Sequence, residues 1–197
     1  KNHLDKESLT DLKIAIQGVG HVGYHLTKYL TEAGAKVLVS DLDQEALKLV
    51  VNDFGVKIVD IDKIYNADID IYSPCAMGST LNDETIPKLK CAIVAGSANN
   101  QLKDEIKHSQ MLKDRGILYA PDYAINSGGL INCANEIQGY NRKRAFKQAE
   151  GIYDTLMAIY DRAELDNVTT HEAALKEAKK RIEDISKLKN IYLSKNN

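Results

Sequence analysis

The sequence predicts an α/β fold: a doubly wound, mainly parallel sheet followed by a C-terminal helical segment. Three observations carry this. Short apolar runs of strand length alternate with stretches whose apolar residues recur at helical spacing. The junctions hold glycine or a helix-capping aspartate, and beyond Pro121 the alternation stops and only helical periodicity remains. Strands that alternate with helices pair in parallel through right-handed crossovers, which cover both sheet faces.

The first strand is Lys13-Ile14-Ala15-Ile16-Gln17, an apolar run that ends at glycine. From His21 onward, Val22, Leu26, Tyr29, Leu30 and Ala33 recur at helical spacing, and Gly34 stands where a helix end favours positive φ. Lys36 to Ser40 is the second strand. Asp43 can then cap a helix whose apolar face is Ala46, Leu47, Val50 and Phe54, stopped by Gly55. Further strands are expected at Val56–Val59, Ile69–Ser73, Cys91–Ala95 and Ile117–Tyr119, with helical or irregular stretches between them that include Gln101–Arg115. Three helices are expected after Pro121, at about Ile125–Tyr140, Arg142–Glu164 and Thr170–Tyr192. The middle one carries Ala149, Ile152, Tyr153, Leu156, Ile159, Tyr160 and Ala163 on one stripe, and the last opens on a capping box from Thr169 to Glu172.

A chain of 197 residues is long enough for one large domain with its own core. With 26 basic against 28 acidic residues and a formal charge of -2, it has no surplus of positive charge to neutralise a phosphate backbone, so nucleic acid is excluded as a main partner. Cys75, Cys91 and Cys133 show neither metal-ligand spacing nor an even count, and are expected as reduced thiols of a cytoplasmic protein; no metal site is expected. No apolar stretch reaches bilayer-spanning length, and Lys1 to Lys13 is polar, unlike a signal peptide. Lys1 stands only a few residues before the first strand, from which we expect a piece cut at a domain boundary with something missing upstream.

Gly18-Val19-Gly20-His21-Val22-Gly23 is G-x-G-x-x-G directly after a strand and directly opening a helix, the setting of a Rossmann dinucleotide site. Gly18 permits the tight turn, Gly20 leaves room for backbone N–H groups to meet a pyrophosphate, and Gly23 allows close helix–strand packing. His21 and Val22 contribute through their backbone, and the ring of His21 is assigned no ligand or acid–base role. Asp41 ends the second strand, 18 residues past Gly23, where a carboxylate can accept hydrogen bonds from the adenosine ribose. Neither Leu42 nor Asp43 offers a cation for a 2′-phosphate, so NAD is favoured over NADP. The same aspartate also fits a plain cap on the loop into the next helix.

KIAIQGVGHVGYHL, IYSPCAMGSTLNDETIPKLK, IVAGSANNQL, YAPDYAINSGGLIN and ANEIQGYNRKRA, taken together over about Ser8 to Tyr192, resemble the glutamate/leucine/phenylalanine/valine dehydrogenase family. The resemblance implies two domains around a cleft and reversible, NAD-dependent oxidative deamination of an amino acid to a 2-oxo acid and ammonia. It points to L-leucine or a related branched-chain substrate and to a homo-oligomer in the full-length protein. It also implies that residues 1–197 are the NAD-binding domain, with a helical tail over about 125–192. The family's catalytic lysines and aspartate belong to an N-terminal domain, in a glycine-rich lysine motif that this sequence lacks. No catalytic residue is therefore expected here, and the chain alone is expected to be inert. By the same resemblance Pro74, Cys75 and Ala76 line the cofactor cleft, with Ala98 and Asn99 near the nicotinamide ribose and Asn126 on the carboxamide. Asn100, Leu130 and Cys133 face the substrate, the last two sharing a helix face as an apolar pocket wall. From the residues alone Asn99 and Asn100 also fit a turn that caps the next helix, Asn126 a helix N-cap, and Leu130 with Cys133 ordinary core packing. Two other readings stay open: a free-standing NAD-binding or sensing module, and a structural domain whose glycines are vestigial.

Overall fold

The computed structural model describes residues 3–137 and 139–194. Its sheet has six parallel strands in the order β3-β2-β1-β4-β5-β6, built from β1 (Lys13–Gln17), β2 (Lys36–Ser40), β3 (Lys57–Ile58), β4 (Ile71–Pro74), β5 (Ile93–Val94) and β6 (Leu118–Tyr119). The chain therefore grows outward from β1 in one direction, returns, and grows outward from β4 in the other. That reversal between β1 and β4 opens a crevice at the carboxyl ends of the strands, where ligands bind in sheets of this kind.

Period-two alternation divides the strands between two cores. Ile14, Ile16, Val37 and Val39 face the side covered by α1 (His21–Glu32) and α2 (Gln44–Phe54), with Leu47 and Val50 packed on them. Ala15, Tyr72 and Val94 face the other side, closed by Ile64, Leu81, Ile86, Leu89 and by Leu112 of α3 (Glu105–Asp114). Each wholly buried aliphatic side chain of this set contributes about 1.5–3 kcal/mol against leaving it in water, far more than any surface ion pair of the molecule.

The first half follows the expected pattern closely. Asp43 caps α2 by accepting from the N–H groups of Glu45 and Ala46, and Gly55 ends that helix at φ 67°. Gly34 likewise takes a positive φ of 83°. The outer strands are shorter than expected: β3, β5 and β6 hold two residues each. β3 and β6 are the sheet's edges, with a neighbour on one side only. The stretch 101–115 is helical only from Glu105, because Asp104 takes extended backbone and caps α3 through Lys107 N–H.

In the tail, the helix expected over Ile125–Tyr140 is two helices, α4 (Asp122–Ile125) and α5 (Gly128–Ile137), broken at Asn126-Ser127; Gln138 lies outside the described residues. Helices α6 (Arg142–Leu165) and α7 (Thr170–Ser194) pack as a pair around Ile159, Ala163, Ala173 and Ala174. Only the carboxyl end of the α6 stripe is buried: Tyr153, expected within it, is 67% exposed, and Phe146 is exposed about two turns earlier. Lys176, Lys179, Lys180 and Lys187 of α7 face solvent, and the side chains beyond residue 187 lie outside those described.

The capping box forms. Thr169 Oγ1 accepts from Glu172 N–H at 3.1 Å, and Glu172 Oε2 accepts from Thr169 N–H at 3.1 Å. Because Thr169 is 3% exposed, water cannot replace its hydroxyl. Thr169→Ala is expected to lower the stability of the chain by about 1 kcal/mol, read as a shift of the urea unfolding midpoint, with no change in the sheet.

Candidate functional site

The crevice is lined by the loops that leave β1, β4 and β5, and by the turn between α4 and α5. Gly18 sits at φ 100°, and a Cβ added there would lie 2.6 Å from Ala76 N, so the β1 and β4 loops touch backbone to backbone. Ala76 and Cys75 are drawn in further by Cys75 N–H, which donates to Gln17 O at 2.7 Å. A Cβ on Gly23 would come within 2.0 Å of Gly18 O, which explains how α1 starts so near the strand. Gly20 differs: a Cβ there meets nothing within 4 Å. No packing demand requires glycine at that position, and the open space above it is what an approaching ligand needs. Gly20 is also the N-cap of α1 and offers no side chain to the first N–H groups of His21, Val22 and Gly23. Uncapped amides and the helix dipole together make a seat for an anion.

Asp41 points at this turn. Its Oδ2 accepts from Val19 N–H at 2.6 Å and its Oδ1 from Asp43 N–H at 3.0 Å. The carboxylate therefore fixes the glycine turn and starts the loop into α2, and each oxygen keeps lone pairs for a further donor. Leu42 beside it is 78% exposed.

On the other side of the crevice, Gly96 passes so close to β4 that a Cβ would lie 2.2 Å from Pro74 O, and Ala98 N–H donates to that same oxygen at 2.9 Å. Asn99 and Asn100 follow, Asn100 at φ 52°. Asn126 is no N-cap: it stands at the carboxyl end of α4, and its Nδ2 donates to Asn99 Oδ1 at 2.5 Å and to Ser97 O at 3.4 Å. The two asparagines thus form one unit, which the sequence separates by 27 positions. Leu130 (74% exposed) and Cys133 share an exposed face of α5, so core packing does not account for them. Among the described residues no group of three or more His, Cys, Asp or Glu is placed to hold a metal ion.

Two buried amides that sequence reading passed over hold this arrangement. Gln101 is wholly buried, and its Nε2 donates to Gly96 O at 2.8 Å and Ala98 O at 2.9 Å, bracing the loop that carries Asn99. Gln17, at the end of β1, donates to Tyr65 OH at 3.0 Å and accepts from Tyr72 OH behind the glycine turn. Losing these donors would leave buried carbonyls unpaired at about 1–3 kcal/mol each, which holds both loops, although Gln101 Oε1 itself finds no partner among the described residues. A glutamine ending an otherwise apolar strand was a signal available for Gln17. Gln101 had none.

The sheet order, the open glycine turn and the carboxylate at the end of β2 define a Rossmann-type α/β protein. The sequence model of the Glutamate/Leucine/Phenylalanine/Valine dehydrogenase family matches residues 39–193, and the chain belongs to that family. It is 48% identical over 193 residues to a leucine dehydrogenase of Thermoactinomyces intermedius, covering 98% of this chain and 52% of that protein. It is 49% identical over 181 residues to an L-tryptophan dehydrogenase of Nostoc punctiforme, covering 92% of this chain and 51% of that one. A crystal structure of L-tryptophan dehydrogenase from the same organism superposes with a TM-score of 0.91 at 47% identity, over 93% of this chain and 55% of the other. The chain thus spans about half the length of the curated relatives it matches.

The cysteines differ in chemistry. Burial pushes the Cys91 thiol from the usual 9.0 up to about 11, because a thiolate there would be stripped of water. At pH 8 only about one Cys91 in a thousand is thiolate, whereas Cys133 is exposed. Iodoacetamide at pH 8 is expected to label Cys133 readily and Cys91 only after denaturant is added. The sign for stability follows: between pH 9 and 11 the unfolded chain releases the Cys91 proton before the folded chain does, so stability falls across that window, and Cys91→Ala is expected to flatten the slope.

Proposed function

We propose that this chain is the cofactor-binding domain of an NAD-dependent amino-acid dehydrogenase acting on L-leucine or a related apolar amino acid in the cytoplasm, as part of a homo-oligomer. The observation that carries this reading is the pairing of open space at Gly20 with an uncapped α1 N-terminus and the Asp41 carboxylate fixed 2.6 Å from Val19 N. Bound there, NAD would supply the acceptor for a hydride leaving the amino acid's Cα.

This chain's residues would bind and orient. The N–H groups of Gly20, His21, Val22 and Gly23 would take the diphosphate, whose charge the helix dipole complements. Asp41 would accept from the ribose hydroxyls, and a 2′-phosphate would meet like charge there. Pro74, Cys75, Ala76 and Ala98 would form the small-residue floor, with the paired Asn99 and Asn126 offering amide donors and acceptors toward the nicotinamide end. Asn100, Leu130 and Cys133 would face the substrate. A leucine and a tryptophan dehydrogenase among the relatives fit an apolar side-chain pocket, and burying a side-chain carboxylate such as glutamate's against Leu130 without a cation would be costly. Proton transfer needs a base that we assign to an N-terminal domain outside these residues, on the absence here of a glycine-rich lysine motif. Free cysteines fit a reducing compartment, and the exposed Phe146 and Tyr153 fit a face covered by another domain or subunit.

Titration calorimetry tests the reading. The chain is expected to bind NADH, to bind NADPH at least about tenfold more weakly, and to lose about 1–3 kcal/mol of NADH affinity in Asp41→Ala. Absence of NADH binding would refute the cofactor site, and equal affinities for the two cofactors would remove Asp41 from the ribose.

A further inference from the structure

The helical seat of the glycine turn carries a second chemical feature that the nucleotide does not use. His21 and His25 are four residues apart on α1, so both project from one face of the helix. Both are exposed, and their ring centres are 5.3 Å apart with the planes at 80°. Two imidazoles bound to one tetrahedral zinc, each with a Zn–N distance of about 2.0–2.1 Å, put their ring centres about 5 Å apart. The centre-to-centre spacing matches that of a chelate, while the rings meet edge to face and His25 also meets the Tyr24 ring at 5.4 Å, so both imidazoles must rotate to turn a nitrogen toward a shared ion. The rest of the molecule offers no rival imidazole pair. His108 and His171 are buried, and His3 stands against Ala92 O, 3.1 Å from its Nε2.

The surroundings fit an ion with water in its remaining positions. The rings open onto a cleft of about 340 Å³ between α1 and α2, walled also by Val19, Gly20, Tyr24 and Leu49. On α2, the Asp53 carboxylate accepts from the Tyr24 hydroxyl at 2.7 Å. Lys28, the next cation along α1, is drawn toward Glu32 at 3.9 Å. The geometry points to His21 and His25 as a bidentate site for a borderline-soft divalent cation such as Zn²⁺ or Ni²⁺, at the rim of the proposed cofactor crevice, a ligand role that the sequence alone did not assign to the His21 ring. Imidazole pairs at this helical spacing select such ions over Mg²⁺ or Ca²⁺, which prefer oxygen.

The test is a titration of the chain with Ni²⁺ followed by NMR of the histidine side chains and by calorimetry. Substoichiometric Ni²⁺ is expected to broaden the His21 and His25 imidazole signals together, ahead of His3. His25→Ala, an exposed change that leaves the core untouched, is expected to weaken Ni²⁺ binding by at least about tenfold, since loss of even an outer partner of a metal ligand costs that much. Mg²⁺ is expected to cause no shift at either ring. Ni²⁺ binding equally well to His25→Ala, or broadening His3 no later than the pair, would overturn the site. Neither outcome depends on whether the chain binds NADH.

Discussion

The loops at the carboxyl edge of the sheet approach one another more closely than a methyl carbon allows, and the rest of the site depends on that contact. At Gly18 the β1 loop meets the backbone of Ala76, and at Gly96 the β5 loop meets Pro74. With these approaches closed, Pro74, Cys75, Ala76 and Ala98 have one position available, between the glycine turn on one side and Asn99 with Asn126 on the other. Cores on both faces of the sheet keep the three strands at that spacing. The geometry of the candidate site thus comes from close packing of its loops.

Charge and hydrogen bonding complete what packing begins. The start of α1 is left without a side-chain cap, although α2, α3 and α6 each begin on a residue whose side chain accepts from the helix backbone. An uncapped helix end beside open space is the local cost that makes an anion welcome. Asp41 holds the turn in shape from the other side, so one carboxylate serves both the fold and the proposed recognition of the sugar. The capping role and the ribose role, alternatives in the sequence, are compatible in the structure.

Much of this was legible because local and global signals agree in the first half of the chain. The apolar run to Gln17, the positive-φ Gly18 and Asp43 each point to one local conformation, and β1, α1, β2 and α2 appear where they should. Legibility falls where tertiary contacts decide. The break at Asn126 arises from a side chain that reaches a loop far away in sequence. Gln101 could not be singled out, since a buried amide and an exposed one look alike in a string of letters, and its importance lies in the two carbonyls it meets. The apolar stripe of α6 was expected from periodicity to pack on something, yet within the chain Tyr153 lies open. Periodicity says that a face is apolar and leaves unstated what covers it.

Gly20 is the position at which the proposed binding turn differs from one that merely folds. Its φ of -64° suits any residue, and a methyl group there touches nothing in the chain. Gly20→Ala, followed by both urea unfolding and NADH calorimetry, therefore tests the account most directly. Stability is expected to change by no more than about 1 kcal/mol, while NADH affinity falls by about tenfold or more, as the methyl group occupies the space meant for the diphosphate. Undiminished NADH affinity in a stable Gly20→Ala chain would contradict the account.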